Sequence, residues 1–298
     1  MSYSYKTFLV IVIILLSIVI LLSYIKSVML YYPMPANNDK YRRFYRKLLH
    51  LTETKNHITN FRIKTVDDIL LDSIYIQNPD SKKCIIFFHG NAGNISMRFD
   101  MIKFLYNYCS IILFDYRSYG RSTGLSSDLS EMTLYLDAKA IWNHATQVLK
   151  LQPSSISLFG ESLGCAVAIK LAYELSKTQD SLNYPHSLIL NSPFYSLATM
   201  IDTIFAKINL LPVGKIISTF YGSEYQSQDL IKYLNHYTKI MIAHRMRDEI
   251  VPFNQGKKLF DEISKTHAWV KFVTITGTHN NLGLTDNYIY HLAEILND

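Results

Sequence analysis

The chain has 298 residues, of which 49% are hydrophobic and 18% charged, a length that suits one large domain plus a short additional segment. Its formal net charge of +6 is confined to one end, since residues 1–55 contain eight basic and two acidic groups and the remainder contains 22 of each. A neutral main domain argues against nucleic acid as a partner. The three cysteines, Cys84, Cys109 and Cys165, match neither a zinc site nor a disulfide framework. We therefore expect buried thiols and no metal or cofactor.

The N-terminal segment contains an apolar stretch from Phe8 to Ile25. As a helix it would be about 27 Å long, close to one hydrocarbon core. A cleaved signal peptide and a buried core helix are the alternatives, but no small-x-small cleavage site precedes Lys26. Residues 1–30 are therefore predicted to be a single-pass transmembrane anchor. Basic residues concentrate after the span, which favours the cytoplasmic side for the rest of the chain.

Residues 31–56 are polar and basic and contain two prolines, as expected for a basic linker or short helical neck. From residue 57 to 298, short apolar runs alternate with amphipathic helical patterns. Such runs suit strands buried on both faces, so the alternation predicts a doubly wound, mostly parallel α/β sheet with helices on both faces. The expected strands are 57–65 and 69–77, which form a hairpin, followed by 84–88, 110–115, 155–159, 187–190, 239–243 and 270–275. The expected helices are 96–108, 128–149, 162–175, 254–265 and 285–296. Residues 194–237 are predicted to form two short helices and no large cap domain.

Ser162 lies in the sequence Gly160-Glu161-Ser162-Leu163-Gly164. The G-x-S-x-G pattern is weak alone, but here an apolar strand runs into it and a helical pattern runs out. This is the context of a nucleophile elbow, a tight turn that lifts the serine hydroxyl above the sheet. The helix start also offers the N–H of Leu163 to an oxyanion. The alternative is an ordinary glycine-bounded turn with a surface serine.

A glycine-containing loop, His89-Gly90-Asn91-Ala92-Gly93-Asn94, follows the strand 84–88. Such a loop can supply the second backbone donor of an oxyanion hole, and Asn91 is the candidate. We assign His89 a structural role, holding the loop by a hydrogen bond. The loop cannot be a phosphate-binding P-loop, because no Lys-Ser/Thr pair follows it. Asp115, after the next strand, is expected to fix the pocket wall.

A serine nucleophile needs a base held in one tautomer by an acid, and in this strand–turn–helix architecture they follow in the order Ser, Asp or Glu, His. Asp248 follows the strand 239–243, and His279 lies in a glycine-containing loop after the strand 270–275. Both positions are at carboxyl ends of predicted strands. The competing acids are Glu249 and Asp286, and the competing histidines are His244, His267 and His291. Solvated loop residues remain the alternative at both positions.

Five motifs occur in order along the chain: HGNAGN, DYRSYGRS, GESLG, RDEIVP and GTHNN. Together they resemble the α/β-hydrolase superfamily, and more narrowly its small Bem-type, α/β-hydrolase-domain-containing branch. Members of that branch often carry an N-terminal membrane segment. The resemblance implies a triad of Ser162, Asp248 and His279, with Asn91 and Leu163 at the oxyanion hole. Ser118 stands where relatives often have glycine.

The functional hypothesis is a membrane-anchored serine hydrolase that cleaves a carboxylic ester or thioester through an acyl-enzyme intermediate. The anchor suggests an acyl-lipid or acyl-protein substrate, and apolar residues of 194–237 could form an entrance for an acyl chain or simply pack on the sheet. An amidase or peptidase of the same fold is the first alternative. A non-catalytic membrane adaptor is the second, although no triad position is missing.

Overall fold

The computed structural model describes residues 8–10, 12–13, 17, 30–178 and 183–297. By internal contacts the chain divides into two units, residues 1–32 and residues 33–298. Most of the apolar stretch Phe8–Ile25 lies outside the described residues. Within the described part of the chain, no helix combines the length and the hydropathy needed to cross a bilayer.

Ten strands are described, and eight of them form one sheet in the order β10-β9-β8-β7-β4-β6-β3-β2. All neighbours from β10 to β6 are parallel, whereas β6–β3 and β3–β2 are antiparallel. The strands are β1 (Tyr32–Pro33), β2 (Ile58–Lys64), β3 (Leu70–Ile76), β4 (Cys84–Phe88), β5 (Ala92–Gly93), β6 (Ser110–Phe114), β7 (Ile156–Glu161), β8 (Ser187–Asn191), β9 (Lys239–Arg245) and β10 (Val270–Ile275).

Nine α-helices connect or flank these strands in the described residues from 30 onward. They are α1 (Asn38–Thr52), α2 (Phe99–Tyr106), α3 (Glu131–Asn143), α4 (Leu163–Ser176), α5 (Leu197–Lys207), α6 (Leu211–Phe220), α7 (Ser227–Leu230), α8 (Phe253–Ile263) and α9 (Asp286–Asn297). The predicted mostly parallel α/β sheet and its N-terminal hairpin are confirmed.

Several helices differ from their predicted extents. The segment expected to be one helix over 96–108 begins as a 3-10 turn (Ile95–Met97) and becomes α-helical only at Phe99. The helix expected over 128–149 ends in a π-helical turn, His144–Val148. Residues 194–237 contain three α-helices and a 3-10 turn, where two short helices were expected. Periodicity identifies these segments but does not distinguish i+3, i+4 and i+5 hydrogen bonding, because one helical turn differs little among them.

Helix α1 lies within the segment predicted as a basic linker. Asn37 caps it by accepting N–H groups of Asp39 and Lys40, both at 3.0 Å. Its Phe44 and Leu48 are buried in the main core, 2% and 0% exposed, while its basic residues face outward. The periodic apolar side chains of this segment therefore cover one face of the sheet.

The core lies on both faces of the sheet. On one face, helices α1, α2 and α9 pack their buried side chains against alternate residues of the strands, such as Ile85, Phe87 and Phe159. The intervening residues, such as Ile86, Phe88 and Leu158, point to the other face and are equally buried, at 0% exposure. Because both faces are covered, the strands are continuous apolar runs.

The order of the strands places a crevice above the middle of the sheet. From β4 the chain continues to β6 on one side, whereas from the neighbouring strand β7 it continues to β8 on the other side. Because the connections after β4 and β7 leave in opposite directions, they create an opening at the carboxyl ends of these two strands, where ligands bind in open α/β sheets. The loop after β4 carries His89 to Asn94, and the turn after β7 carries Ser162.

Candidate active site

Ser162 occupies a constrained turn between β7 and α4. Its backbone has φ 50° and ψ −115°, a conformation that residues with a side chain rarely adopt. The Ser162 N–H donates to the Asn191 carbonyl of β8 at 2.9 Å, which ties the turn to the sheet. The predicted strand–turn–helix context of Ser162 is thus present in the structure.

Two glycines allow helix α4 to start this close to the sheet. A Cβ atom added to Gly164 would lie 2.1 Å from the Phe88 carbonyl oxygen, and one added to Gly160 would lie 2.6 Å from the Cα of Cys165. Both distances are far below van der Waals contact. Gly90, in the loop after β4, comes next to the turn, since a Cβ there would lie 3.6 Å from the Ser162 Cβ. The glycine-containing loop and the serine turn are therefore in contact.

His89 orients the peptide that carries the Asn91 N–H. The His89 side chain is fully buried, and its Nδ1 donates to the Gly90 carbonyl at 2.8 Å. The Gly90–Asn91 peptide bond is trans, so the Asn91 N–H points away from that carbonyl and from His89. Burial, with a contribution from the Arg98 cation, lowers the pKa of His89 to about 3, which keeps the ring neutral. This is the structural role expected for His89.

The two amides expected at an oxyanion hole are both without a partner. Among the described residues, neither the Asn91 N–H nor the Leu163 N–H donates a hydrogen bond. Leu163 is the first residue of α4, where an amide has no partner within the helix. The Asn91 carbonyl is held from the other side by the Tyr119 hydroxyl at 2.8 Å. Both N–H groups thus remain available to an acceptor outside the described residues.

Asp248 and His279 are joined by hydrogen bonds above β9 and β10. The Nδ1 atom of His279 donates to both Asp248 carboxylate oxygens at 2.8 Å, and the carboxylate also accepts the Val251 N–H at 2.8 Å. Burial raises the pKa of Asp248, but the hydrogen bonds and charge of His279 and the Val251 N–H outweigh it, so the pKa lies below its usual value. The structure brings these two residues together. It leaves the Ser162 hydroxyl without a hydrogen bond within the described part of the chain.

The competing acid Glu249 has a different contact. Its carboxylate accepts the backbone N–H of His279 at 3.0 Å. His244 is fully buried, and its Nε2 donates to the Val251 carbonyl at 2.9 Å. The same Nε2 lies 3.9 Å from the Asp248 carboxylate. Glu249 therefore holds the loop that carries His279, a contact that residue spacing alone does not reveal.

Asp115, predicted from the sequence to fix the pocket wall, links helix α1 to the segment that follows β4. It is fully buried and accepts the Ile95 N–H at 2.8 Å and the hydroxyl of Tyr41 on α1. Burial raises the pKa of Asp115 to about 7. Ser118 adopts a left-handed φ of 67°, a conformation that favours glycine. The contact with Tyr41 was not predicted, because Tyr41 lies in the segment 31–56 that the sequence indicates to be a linker.

A protein-family model matches residues 79–249, more than half of the chain; it is Hydrolase_4, described as serine aminopeptidase, S33. The chain belongs to this family. It is 54% identical to an uncharacterised protein of Acanthamoeba polyphaga mimivirus over 93% of this chain and 94% of that protein. Protein bem46 of Schizosaccharomyces pombe is 31% identical over 78% and 75% of the two chains. Lysophosphatidylserine lipase ABHD12 of Gallus gallus is 24% identical over 80% and 68%.

Solved structures have the same fold. An α/β-hydrolase from Vibrio vulnificus superposes with a TM-score of 0.71 at 21% identity, covering 85% of this chain and 86% of that one. The Pyrococcus furiosus esterase gives a TM-score of 0.61 at 20% identity, covering 80% and 90%. This member of the family is thus a serine hydrolase with the α/β-hydrolase fold, as the Bem-type resemblance implied.

The close approach of α4 to β4 leads to a first prediction. Replacing Gly164 by Ala puts a methyl group against the backbone of Phe88, which cannot move without breaking the β4–β7 pairing. We expect a loss of about 1–3 kcal/mol in the free energy of unfolding, measured by urea denaturation. Gly222→Ala is the control, because its nearest atom would be 3.4 Å away. Equal stability of the two variants would contradict the packing argument.

Proposed function

We propose that the chain hydrolyses carboxylic esters or thioesters with Ser162 as nucleophile, His279 as base and Asp248 as the residue that orients His279. The observation that carries this proposal is the donation of the His279 Nδ1–H to Asp248. With its proton on Nδ1, the neutral ring has a lone pair on Nε2, which can accept a proton from a serine hydroxyl.

The chemistry then proceeds in two steps. The Ser162 oxygen attacks the acyl carbon while its proton passes to His279, and the carbonyl electrons move onto oxygen. When the tetrahedral intermediate collapses, the bond to the leaving oxygen or sulfur breaks and His279 returns the proton to it. Water, deprotonated by His279, then attacks the acyl-enzyme, and Ser162 leaves with that proton. The Asn91 and Leu163 amides would stabilise the oxyanion in both steps.

An ester or thioester fits this site better than the amino-terminal peptide bond that the family description suggests. A free α-ammonium group would need an uncommitted carboxylate near the nucleophile. Within the described part of the chain, Asp248 of the proposed triad is engaged with His279. The two acids adjacent to triad residues are also engaged, Glu249 with the His279 N–H and Glu161 with Arg98. Cleavage of other amides by the same residues remains the second candidate function.

Apolar residues beside the site support an acyl substrate. The last residue of helix α5 contacts the chain next to Asp248, because Lys207 Nζ donates to the Glu249 carbonyl at 3.3 Å. Helices α5 and α6 and their connection expose a group of aliphatic and aromatic side chains, and exposed apolar patches often mark binding sites. These side chains, 37–63% exposed, are Ile204, Ile208, Leu210, Leu211, Val213, Ile216 and Phe220. A hydrocarbon chain bound to them would remove this surface from water.

We also propose that residues 1–30 anchor the enzyme to a membrane, with the hydrolase domain on the cytoplasmic side. The support is the apolar composition of Phe8–Ile25 and the basic residues that follow. The residues of this stretch that the structure describes are helical, and Phe8, Leu9, Val10 and Ile13 are 44–65% exposed. An anchored enzyme would meet acylated substrates at the bilayer surface.

The nucleophile is tested with Ser162→Ala. This variant should lose turnover of a p-nitrophenyl ester by up to roughly 10⁶-fold and should no longer react with a fluorophosphonate probe, because both reactions require the serine oxygen. Ser127→Ala, at an exposed serine, is the control. Equal labelling of Ser162→Ala and the wild type would refute the proposed nucleophile.

The acyl preference is tested with Ile208→Ser, which removes an exposed aliphatic group on the α5–α6 surface. We expect kcat/KM for a dodecanoyl ester to fall on the order of tenfold and that for an acetyl ester to be unchanged, since only the long chain reaches this surface. Tyr237→Ser, at a residue 90% exposed, is the control. A parallel loss with both esters would argue against an acyl-binding role.

The anchor is tested in the full chain with Leu15→Lys combined with Ile18→Lys. Each charge at the centre of a membrane helix costs about 3 kcal/mol, so the variant should be extracted from vesicles by alkaline carbonate while the wild type stays in the pellet. Lys6→Ala should behave as wild type. Release of the wild type by carbonate would contradict the anchor.

A further inference from the structure

Arg98 connects the two chain segments that carry the candidate oxyanion donors. Arg98 lies at the start of α2. Its Nε is 2.9 Å from the carboxylate of Glu161, the residue directly before Ser162. Its Nη2 donates at 2.8 Å to the carbonyl of Ala92, the residue directly after Asn91. The side chains of Arg98 and Glu161 are only 20% and 23% exposed. One guanidinium group thus holds both the loop after β4 and the turn after β7.

The position of the Arg98–Glu161 contact matters because the hydrogen-bonded pairing of β4 with β7 ends just before these two segments begin. Strands β4 and β7 pair as far as Phe88 and Gly160, and the candidate donors lie beyond that point. The Arg98 guanidinium also packs along the loop, 3.9 Å from where a Cβ of Gly90 would be and 3.8 Å from one of Gly93. Arg98 and Glu161 therefore cross-link the two segments where backbone pairing has ended.

An oxyanion hole requires two amides to converge on one oxygen at about 2.7–3.1 Å. Here one amide belongs to the loop and the other to the turn, so their separation depends on whatever holds the two segments together. We propose that the Arg98–Glu161 ion pair sets this separation, which makes Arg98 and Glu161 positioning residues for transition-state stabilisation. This inference rests on the proposed function, because it assigns a role at the same site.

The test compares Arg98→Gln, Glu161→Gln and the double variant in the full chain, purified in detergent. Displacing one donor by about 1 Å should lower kcat on a p-nitrophenyl ester by tenfold to about a hundredfold, with KM within roughly twofold of wild type. The inhibition constant of an alkyl boronic acid, whose serine adduct places an oxygen in the hole, should rise by a similar factor. The double variant should be no slower than the slower single variant, because both substitutions break one contact.

A matched control is Arg62→Gln. Arg62 Nε is 3.8 Å from Asp72 in another arginine–carboxylate pair, but on β2, three strands from β4 at the edge of the sheet. It should retain wild-type kcat and boronic acid inhibition. Thermal denaturation of every variant identifies any that fail to fold. If Arg98→Gln does so, Glu161→Gln, which changes only the charge of one side chain, decides the outcome.

Three results would overturn the inference: kcat within twofold of wild type in both single variants, a loss carried by KM alone, or losses that multiply in the double variant. A purely structural ion pair would lower the denaturation midpoint without changing kcat or boronic acid inhibition. Failure of the proposed function has a different signature, since the wild type would then lack turnover of the ester or Ser162→Ala would match it.

Discussion

The contact between the first turn of helix α4 and the end of strand β4 is the constraint on which the site depends. Gly164 lies so close to the Phe88 carbonyl that any side chain would overlap the backbone. A helix that starts this near the sheet can follow β7 only through a sharp turn, and Ser162 takes the unusual backbone conformation that the turn requires. The same turn leaves the Leu163 amide unpaired at the helix start. A constrained serine and a free donor therefore come from one packing contact.

Burial has different results for the polar groups after β4 and β6 and for those after β9 and β10. Around the loop after β4, burial lowers the pKa of His89 to about 3 and raises that of Asp115 to about 7. A His89 that stays neutral keeps its Nδ1–H on the Gly90 carbonyl, so the Asn91 amide keeps its direction over the physiological pH range. Above β9, hydrogen bonds to Asp248 outweigh burial and favour its carboxylate. The loop after β4 thus holds the Asn91 amide in a fixed direction, and the chain after β9 has an ionised acid beside a histidine.

The parallel sheet explains how residues far apart in sequence reach one edge. Ser162, Asp248 and His279 follow strands β7, β9 and β10, whose carboxyl ends lie on the same side because the strands are parallel. Side-chain contacts then adjust the loops: Glu249 holds the His279 backbone, and Arg98 holds the segments around Asn91 and Ser162. The strands bring the residues to one edge, and these contacts tie together the loops and turns that carry them.

Local sequence alone determined much of this protein. Continuous apolar runs marked the buried strands to within about two residues, because burial on both faces favours apolar side chains along the whole strand. The glycines around Ser162 and the order of Asp248 and His279 identified the candidate site. Only the tertiary structure decided that α1 belongs to the core and that α3 ends in a π-helical turn. The contacts of Tyr41 with Asp115 and of Arg98 with Glu161 were likewise decided by the tertiary structure. Residue patterns record the period and burial of a segment, whereas a contact between distant segments depends on how the whole chain packs.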